Sequence, residues 1–394
     1  MSTTLLLNDW HLTVVSTGEV LYDEPAAVLE RGNALTFGGE ALAQARLHPR
    51  QSNVDYLGKL SADPLAQPFD LARNHADLLY HHLKSLAEQI SALREPTLVV
   101  VPSTVSNEQL SLLLGVAQEA GVRIGSFADL ACICAAAQPK PQAIQFLELN
   151  MTSAYHCTVS LEPNTVAGAA TEYLDTGISR IIDGWTNVIA DQFVSSSRFD
   201  PLHAAHTEQQ LYNLVTGWFG SATPSSYVTV EHNDETRRQE VGIDSLRARL
   251  EATLEPMLAR LDPDQPVRLG PNAATVPLLR TMLETRYTVQ TSNPEQLLDY
   301  LTARAPALLS GDDVHYHRAL EPAQSTAAAE LEAKPAAPAS SPAPQTDVAT
   351  HGLHATTAYR IGSPMLPESA VTEPQPGSTV SVDGRLFTLI RVED

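Results

Sequence analysis

Thr97-Leu98-Val99-Val100-Val101-Pro102 is the stretch on which the fold reading turns. An unbroken β-branched run closed by proline is the pattern of a strand buried on both faces, because alternation is required only where one face meets water. Ser106-Asn107-Glu108-Gln109 follows with N-cap chemistry, and Leu110, Leu113, Leu114 and Ala117 recur at helical spacing until Gly121 ends the helix. Val122-Arg123-Ile124 restarts a short strand, and Asp129 opens an alanine-rich helix over 130–137. The unit reads β-α-β-α.

Working outward, the N-terminal stretch reads as a meander: strands at 3–7 and 10–15 joined by Asn8-Asp9, then Thr17-Gly18 turning into a strand through Val20-Leu21-Tyr22. An apolar stripe of Leu71, Leu78, Leu79, Leu83 and Leu86 predicts a helix over 70–93, decorated by His75, His81 and His82 as surface histidines. Ile144 to Leu149 and Tyr155 to Leu161 pair as strands across Asn150-Met151-Thr152-Ser153, helices follow near 208–219 and 243–257, and Asn293-Pro294-Glu295 caps a last one.

The 394 residues suffice for two large lobes plus a tail. With 25 basic against 46 acidic residues the formal charge is -21, which disfavours nucleic acid and anionic membranes as partners. The N-terminus lacks a basic region and its apolar run breaks at Asn8-Asp9, so neither a signal peptide nor a spanning helix is expected. Cys132, Cys134 and Cys157 are the three cysteines, so a reducing cytoplasm is expected, and Cys132 and Cys134, too close on one helix for easy bridging, read as buried small hydrophobes.

Several stretches, in order, resemble the nucleotide-binding domain of DnaK-type heat-shock chaperones within the actin and sugar-kinase superfamily. Val101-Pro102-Ser103 with Ala120-Gly121-Val122 is similar to its "VPA…AGL" core, Asp23-Glu24-Pro25 to an "EPS" segment, and Phe37-Gly38-Gly39-Glu40-Ala41 to "VGDAAKNQ". Thr253-Leu254-Glu255-Pro256 resembles "TLEPV", and Val267-Arg268-Leu269-Gly270-Pro271-Asn272 resembles the adenosine-contacting "LVGGSTRIP" turn. The resemblance implies an α/β, actin-like two-lobed ATPase fold of ribonuclease-H-like repeats over 1–320, with ATP and magnesium as cofactors.

The family's phosphate loops bring glycine amides close to phosphate, which only residues without bulky side chains permit. Here Asn8-Asp9-Trp10-His11 and Asn150-Met151-Thr152-Ser153 stand in their places without glycine. By resemblance Asp9, Asp129 and Glu148 are the candidate catalytic carboxylates, and Asn8, Lys59, Asn150, Thr152, Ser153, Gly177, Gly270 and Asn272 the candidate cofactor contacts. Asp9, Asp129, Glu148 and Asp183 could in principle surround magnesium, but turn and cap roles are the plainer reading, and no resident metal is assigned. The loss of glycines points to a pseudo-ATPase, a cytoplasmic scaffold or partner-binding module; the alternative is an active or weak ATP-dependent chaperone-like ATP hydrolase.

Past Leu320 the composition shifts to Pro, Ala, Ser and Glu, predicting a disordered linker over 321–345. In the remaining 346–394, Asp383-Gly384 between two alternating runs is a strong hairpin signal. Since a lone hairpin is marginal in water, it should pair with the 359–361 segment or dock on a protein partner.

Overall fold

The structure, a computed structural model, describes residues 2–138, 143–161, 164–311, 313–322 and, toward the C-terminus, 351–354, 357–361, 363, 365–367, 369, 371, 378–382 and 385–390. The chain divides into two compact units, Met1–Ala329 and Glu330–Asp394. The division, and nearly all of the expected linker, lie outside the described residues.

In the first unit β1 (Thr3–Leu6), β2 (Leu12–Ser16) and β3 (Glu19–Glu24) form the expected meander. A small sheet of β4 (Val28–Arg31), β5 (Ala34–Phe37) and β6 (Ser52–Asn53) follows, with the short helix α1 (Gly39–Leu42) between its last two strands. Then come α2 (His75–Gln89), β7 (Thr97–Val101), α3 (Asn107–Ala120) and β8 (Ile124–Asp129). All five residues of β7 are buried, as its unbroken apolar run requires. Ser106 and Gln109 form a reciprocal capping box at the start of α3, and Gly121 ends it at φ 81°, a left-handed conformation that glycine adopts without a Cβ clash.

Helix α4 (Leu130–Ala136), capped by Asp129 and buried at every residue, leads to β9 (Ile144–Leu149), β10 (Ser153–Ser160), β11 (Thr165–Ala167) and β12 (Thr171–Leu174). After α5 (Ile178–Ser197) and α6 (Ala205–Thr216), β13 (Tyr227–His232) and β14 (Glu235–Glu240) form a hairpin. Next come α7 (Ile243–Leu258), β15 (Val267–Leu269), α8 (Pro271–Thr275), α9 (Leu279–Leu283), β16 (Val289–Thr291) and α10 (Pro294–Leu308), and the unit closes with β17 (Tyr316–His317) and β18 (Ala319–Leu320).

These strands build two sheets that repeat one pattern. In the first the order is β17-β8-β7-β1-β2-β3, and in the second β16-β15-β9-β10-β11-β18, with β12 also on β10. In both, an antiparallel meander (β1-β2-β3; β9-β10-β11) is extended on the far side of its first strand by two parallel strands (β7 and β8; β15 and β16). Helices α2 and α3 cover the first sheet over one core, and α5, α7 and α9 pack with the β13–β14 hairpin over another. Helices α4 and α10 fill the space between the sheets.

The closing segment is a strap. β17 joins the first sheet beside β8, and three residues later β18 joins the second beside β11. The Tyr300 hydroxyl donates to the Glu321 carbonyl at 2.7 Å, and Arg304 pairs with the Glu321 carboxylate at 2.6 Å. The three cysteines are buried free thiols, as expected of Cys132 and Cys134.

Two local expectations are corrected. α2 starts at His75 rather than residue 70, because Glu30 takes the Asp70 and Leu71 amides at 2.9 and 2.8 Å and Asn74 supplies the cap. His82 is not a surface histidine: it is 1% exposed, stacked on Phe37, with Nε2 3.0 Å from the Tyr22 hydroxyl and Nδ1 2.6 Å from that of Tyr56.

The second unit holds β19 (His351–His354), β20 (Thr357–Arg360), β21 (Thr379–Val382) and β22 (Arg385–Ile390) in an antiparallel sheet ordered β20-β19-β22-β21. The hairpin is present, with Val382 opposite Arg385. Its inner neighbour is β19 rather than the strand containing Tyr359, which lies one place further out. Leu366, Phe387 and Leu389 form its core.

Candidate functional site

Asp9 lies in the turn between β1 and β2, where Asn8 Oδ1 accepts the Trp10 amide at 3.1 Å and holds the bend. The Asp9 carboxylate is 3% exposed; Oδ1 accepts the Met151 amide at 2.7 Å, and Oδ2 has no hydrogen-bond partner among the described residues. The two glycine-less loops are thus joined, the carboxylate of one on an amide of the other. Burial pushes the Asp9 pKa up to about 7, against the pull of the Met151 amide.

The Asn150–Ser153 loop is closed on itself and on α5. The Asn150 amide donates to the Ser153 carbonyl at 2.7 Å, while the first amides of α5, Ile178 and Ser179, donate to the Asn150 and Met151 carbonyls at 2.9 Å each. Gly177 is required by this approach, since a Cβ there would sit 2.5 Å from the Ser153 nitrogen. A helix start whose amides are taken in this way has little left to offer an anion.

Glu148 closes the turn after β15 in the same manner. Its Oε1 accepts the Leu149 and Ala273 amides at 2.9 and 2.8 Å, and Oε2 the Asn272 amide at 3.4 Å. Gly270 makes room for it, for a Cβ there would lie 2.5 Å from Oε2. Burial raises the Glu148 pKa to about 8 although the three amides oppose it. Asn272 donates from Nδ2 to Asn8 Oδ1 and to the Leu149 carbonyl at 2.9 Å, tying this network to the Asp9 turn.

Asp9, Lys59, Asn150, Thr152 and Ser153 line one cavity of about 160 Å³. Lys59 is bound to Asp55 at 2.5 Å, four residues away and largely exposed, so its charge is already paired. Asp129 belongs elsewhere. It accepts the Cys132 amide at 3.1 Å and the Ser103 hydroxyl at 3.0 Å, with Tyr316 at 3.3 Å and Arg318 at 3.8 Å, and burial raises its pKa. Asp183, on α5, pairs with Arg46. Asp129 and Asp183 thus answer to partners of their own, apart from Asp9 and Glu148, and among the described residues no cluster of three or more His, Cys, Asp or Glu is placed to hold a metal ion.

Sequence reasoning missed the residues that complete the site. Gly58 brings the chain against Asp9, a Cβ there lying 3.1 Å from Oδ2, and its position next to Lys59 was the available signal. Trp10, 5% exposed, stacks at a tilt on Phe219 with ring centroids 5.1 Å apart, and Phe219 in turn meets Trp185. Nothing local to Trp10 points to a partner so distant in the chain.

A scan of known protein families finds none that matches the chain, and no curated protein is significantly similar to it.

Proposed function

We propose that the chain is a degenerate relative of the DnaK-type chaperones and actin-like ATPases, a pseudo-ATPase that acts as a scaffold or partner-binding module. The duplicated sheet, an antiparallel meander extended by two parallel strands in each copy, supports the family reading. The observation that carries the pseudo-ATPase reading is the Asp9 carboxylate on the Met151 amide at 2.7 Å. Phosphoryl transfer depends on amides and cations held ready for phosphate oxygens. A carboxyl oxygen at that amide occupies a donor that a phosphate oxygen would need.

The residues do not fit a magnesium triphosphate. Glu148 takes the Asn272 and Ala273 amides that follow Gly270-Pro271, the α5 amides serve the Asn150–Ser153 loop, and Trp10 reaches across to Phe219. A cavity of about 160 Å³ is also smaller than the ~300 Å³ at which ligand pockets of ordinary size begin. The second unit supplies the partner-binding element: β20 and β21 are edge strands, which accept an added strand from another chain.

Phosphate release from Mg-ATP tests the reading. The chain and its Asp9→Ala variant are expected to release phosphate at the same background rate; turnover by the chain that Asp9→Ala abolishes would establish the ATP hydrolase instead.

A further inference from the structure

The cavity of about 160 Å³ beside Asp9 has one wall of apolar side chains. Leu57 and Leu60 line it from the loop that precedes α2, Val105 from the turn before α3, and Leu113 from α3 itself. All four belong to the core under the first sheet or pack against it. Leu174, the last residue of β12, lies in the same lining and is 73% exposed, the most exposed of the large apolar side chains among the described residues. A leucine left that bare beside a hollow is apolar surface that an occupant would cover.

The charged residues of the lining are Asp9, Lys59 and Glu172, and each is already bound within the chain. Asp9 Oδ1 accepts the Met151 amide at 2.7 Å, Lys59 donates to Asp55 at 2.5 Å, and Glu172 accepts the Ser153 hydroxyl at 2.6 Å. Gln109, also in the lining, spends its side-chain oxygen on the Ser106 amide at 3.0 Å. An ion entering the cavity would shed its water and meet no free countercharge, which is costly for either sign. An uncharged apolar body has no such loss, and a cavity of about 150 Å³ holds a benzene ring.

We propose that this cavity binds a small uncharged apolar molecule of benzene to toluene size, packed among Leu57, Leu60, Val105 and Leu113 and covered at its mouth by Leu174. The inference rests on the reading of this cleft as one without a phosphate site, and it is tested with different probes.

Toluene, benzylamine and benzoate share a ring and differ in charge. They are titrated separately into the full chain by ligand-observed NMR and calorimetry at pH 6, where Asp9, its pKa raised by burial to about 7, keeps its proton. Toluene is expected to saturate one site, with both ions weaker by about ten-fold or more. Val105→Trp, a half-buried position from which an indole reaches into the cavity, is expected to abolish saturation by toluene. Should that variant fail to fold, Leu174→Ser keeps the test, because its exposed position bears little on the fold; toluene is expected to bind it about three-fold more weakly. Absence of saturation by toluene, either ion binding as well as toluene, or full affinity in a folded variant would overturn the proposal. Any of these would leave the pseudo-ATPase reading standing, since that reading is judged with Mg-ATP.

Discussion

At the scale of residues, Asp9 works against stability at neutral pH. Its ordinary pKa is 3.8 and its folded pKa about 7, so above pH 4 the unfolded chain sheds a proton that the folded chain retains, and the folded state loses ground until pH 7 is passed. Asp9→Asn removes that penalty. Thermal melts at pH 5 and pH 8 should show the variant gaining on the parent mainly at pH 8, by about 2 kcal/mol, a discounted share of the shift; an equal effect at both values would mean that Asp9 titrates normally. His82 has the opposite dependence. Burial lowers its pKa from 6.5 to about 3, so its neutral ring contributes fully above pH 6.5, and that contribution is lost as the pH falls toward 3. In His82→Phe the acid slope between pH 6.5 and 4 should flatten, while stability at pH 7.5 falls by about 2 kcal/mol because the buried Tyr56 hydroxyl is left unpaired. Chemical denaturation across that pH range reads both effects.

At the scale of elements, the strap from Tyr316 to Leu320 holds one edge of each sheet. The His315 carbonyl at its start accepts the Phe127 amide at 2.7 Å, the Arg318 carbonyl takes the Cys132 thiol at 3.1 Å, and Leu320 is buried to 3% exposure. Hydrogen bonds at about 1 kcal/mol each and one buried leucine add to a loss on the order of 5 kcal/mol if the strap is removed. A chain ending at 322 should therefore melt like the first unit of the full chain, and a chain ending at 310 several degrees lower; identical melting of the two would show the strap to be ornamental. In the second unit the core is small, and Phe387, fully buried, is its largest member. Phe387→Ala should remove about 3 kcal/mol there, enough to unfold the sheet while the first unit keeps its transition. Far-UV and near-UV melts distinguish the two.

At the scale of the whole molecule, what could be read in the sequence was what neighbours decide. The run Thr97–Val101 has no polar interruption that would turn one of its faces to water, and Ser106, Gln109, Gly121 and Asp129 mark helix ends by chemistry acting over three or four residues. The Asn233-Asp234 turn, with both residues at positive φ, hides a hairpin because β14 is wholly polar and shows no alternation. The strap escaped notice because its strands are two residues long. His82 looked like a surface residue because its burial depends on Tyr22, Phe37 and Tyr56 from other elements. The site was legible as a set of residues and not as an arrangement: Asp9, Lys59, Asn150, Thr152 and Ser153 do share a cavity, while Asp129 does not join them. That Asp9 would sit on an amide 142 positions away follows only from the packing of two sheets.

The same packing gives the central claim its test. On the proposed reading, calorimetric titration of the full chain with Mg-ATP at neutral pH should give no saturable heat at millimolar nucleotide, because the Met151, Asn272 and Ala273 amides already hold Asp9 and Glu148. A one-to-one isotherm with micromolar affinity that vanishes when magnesium is chelated would contradict it.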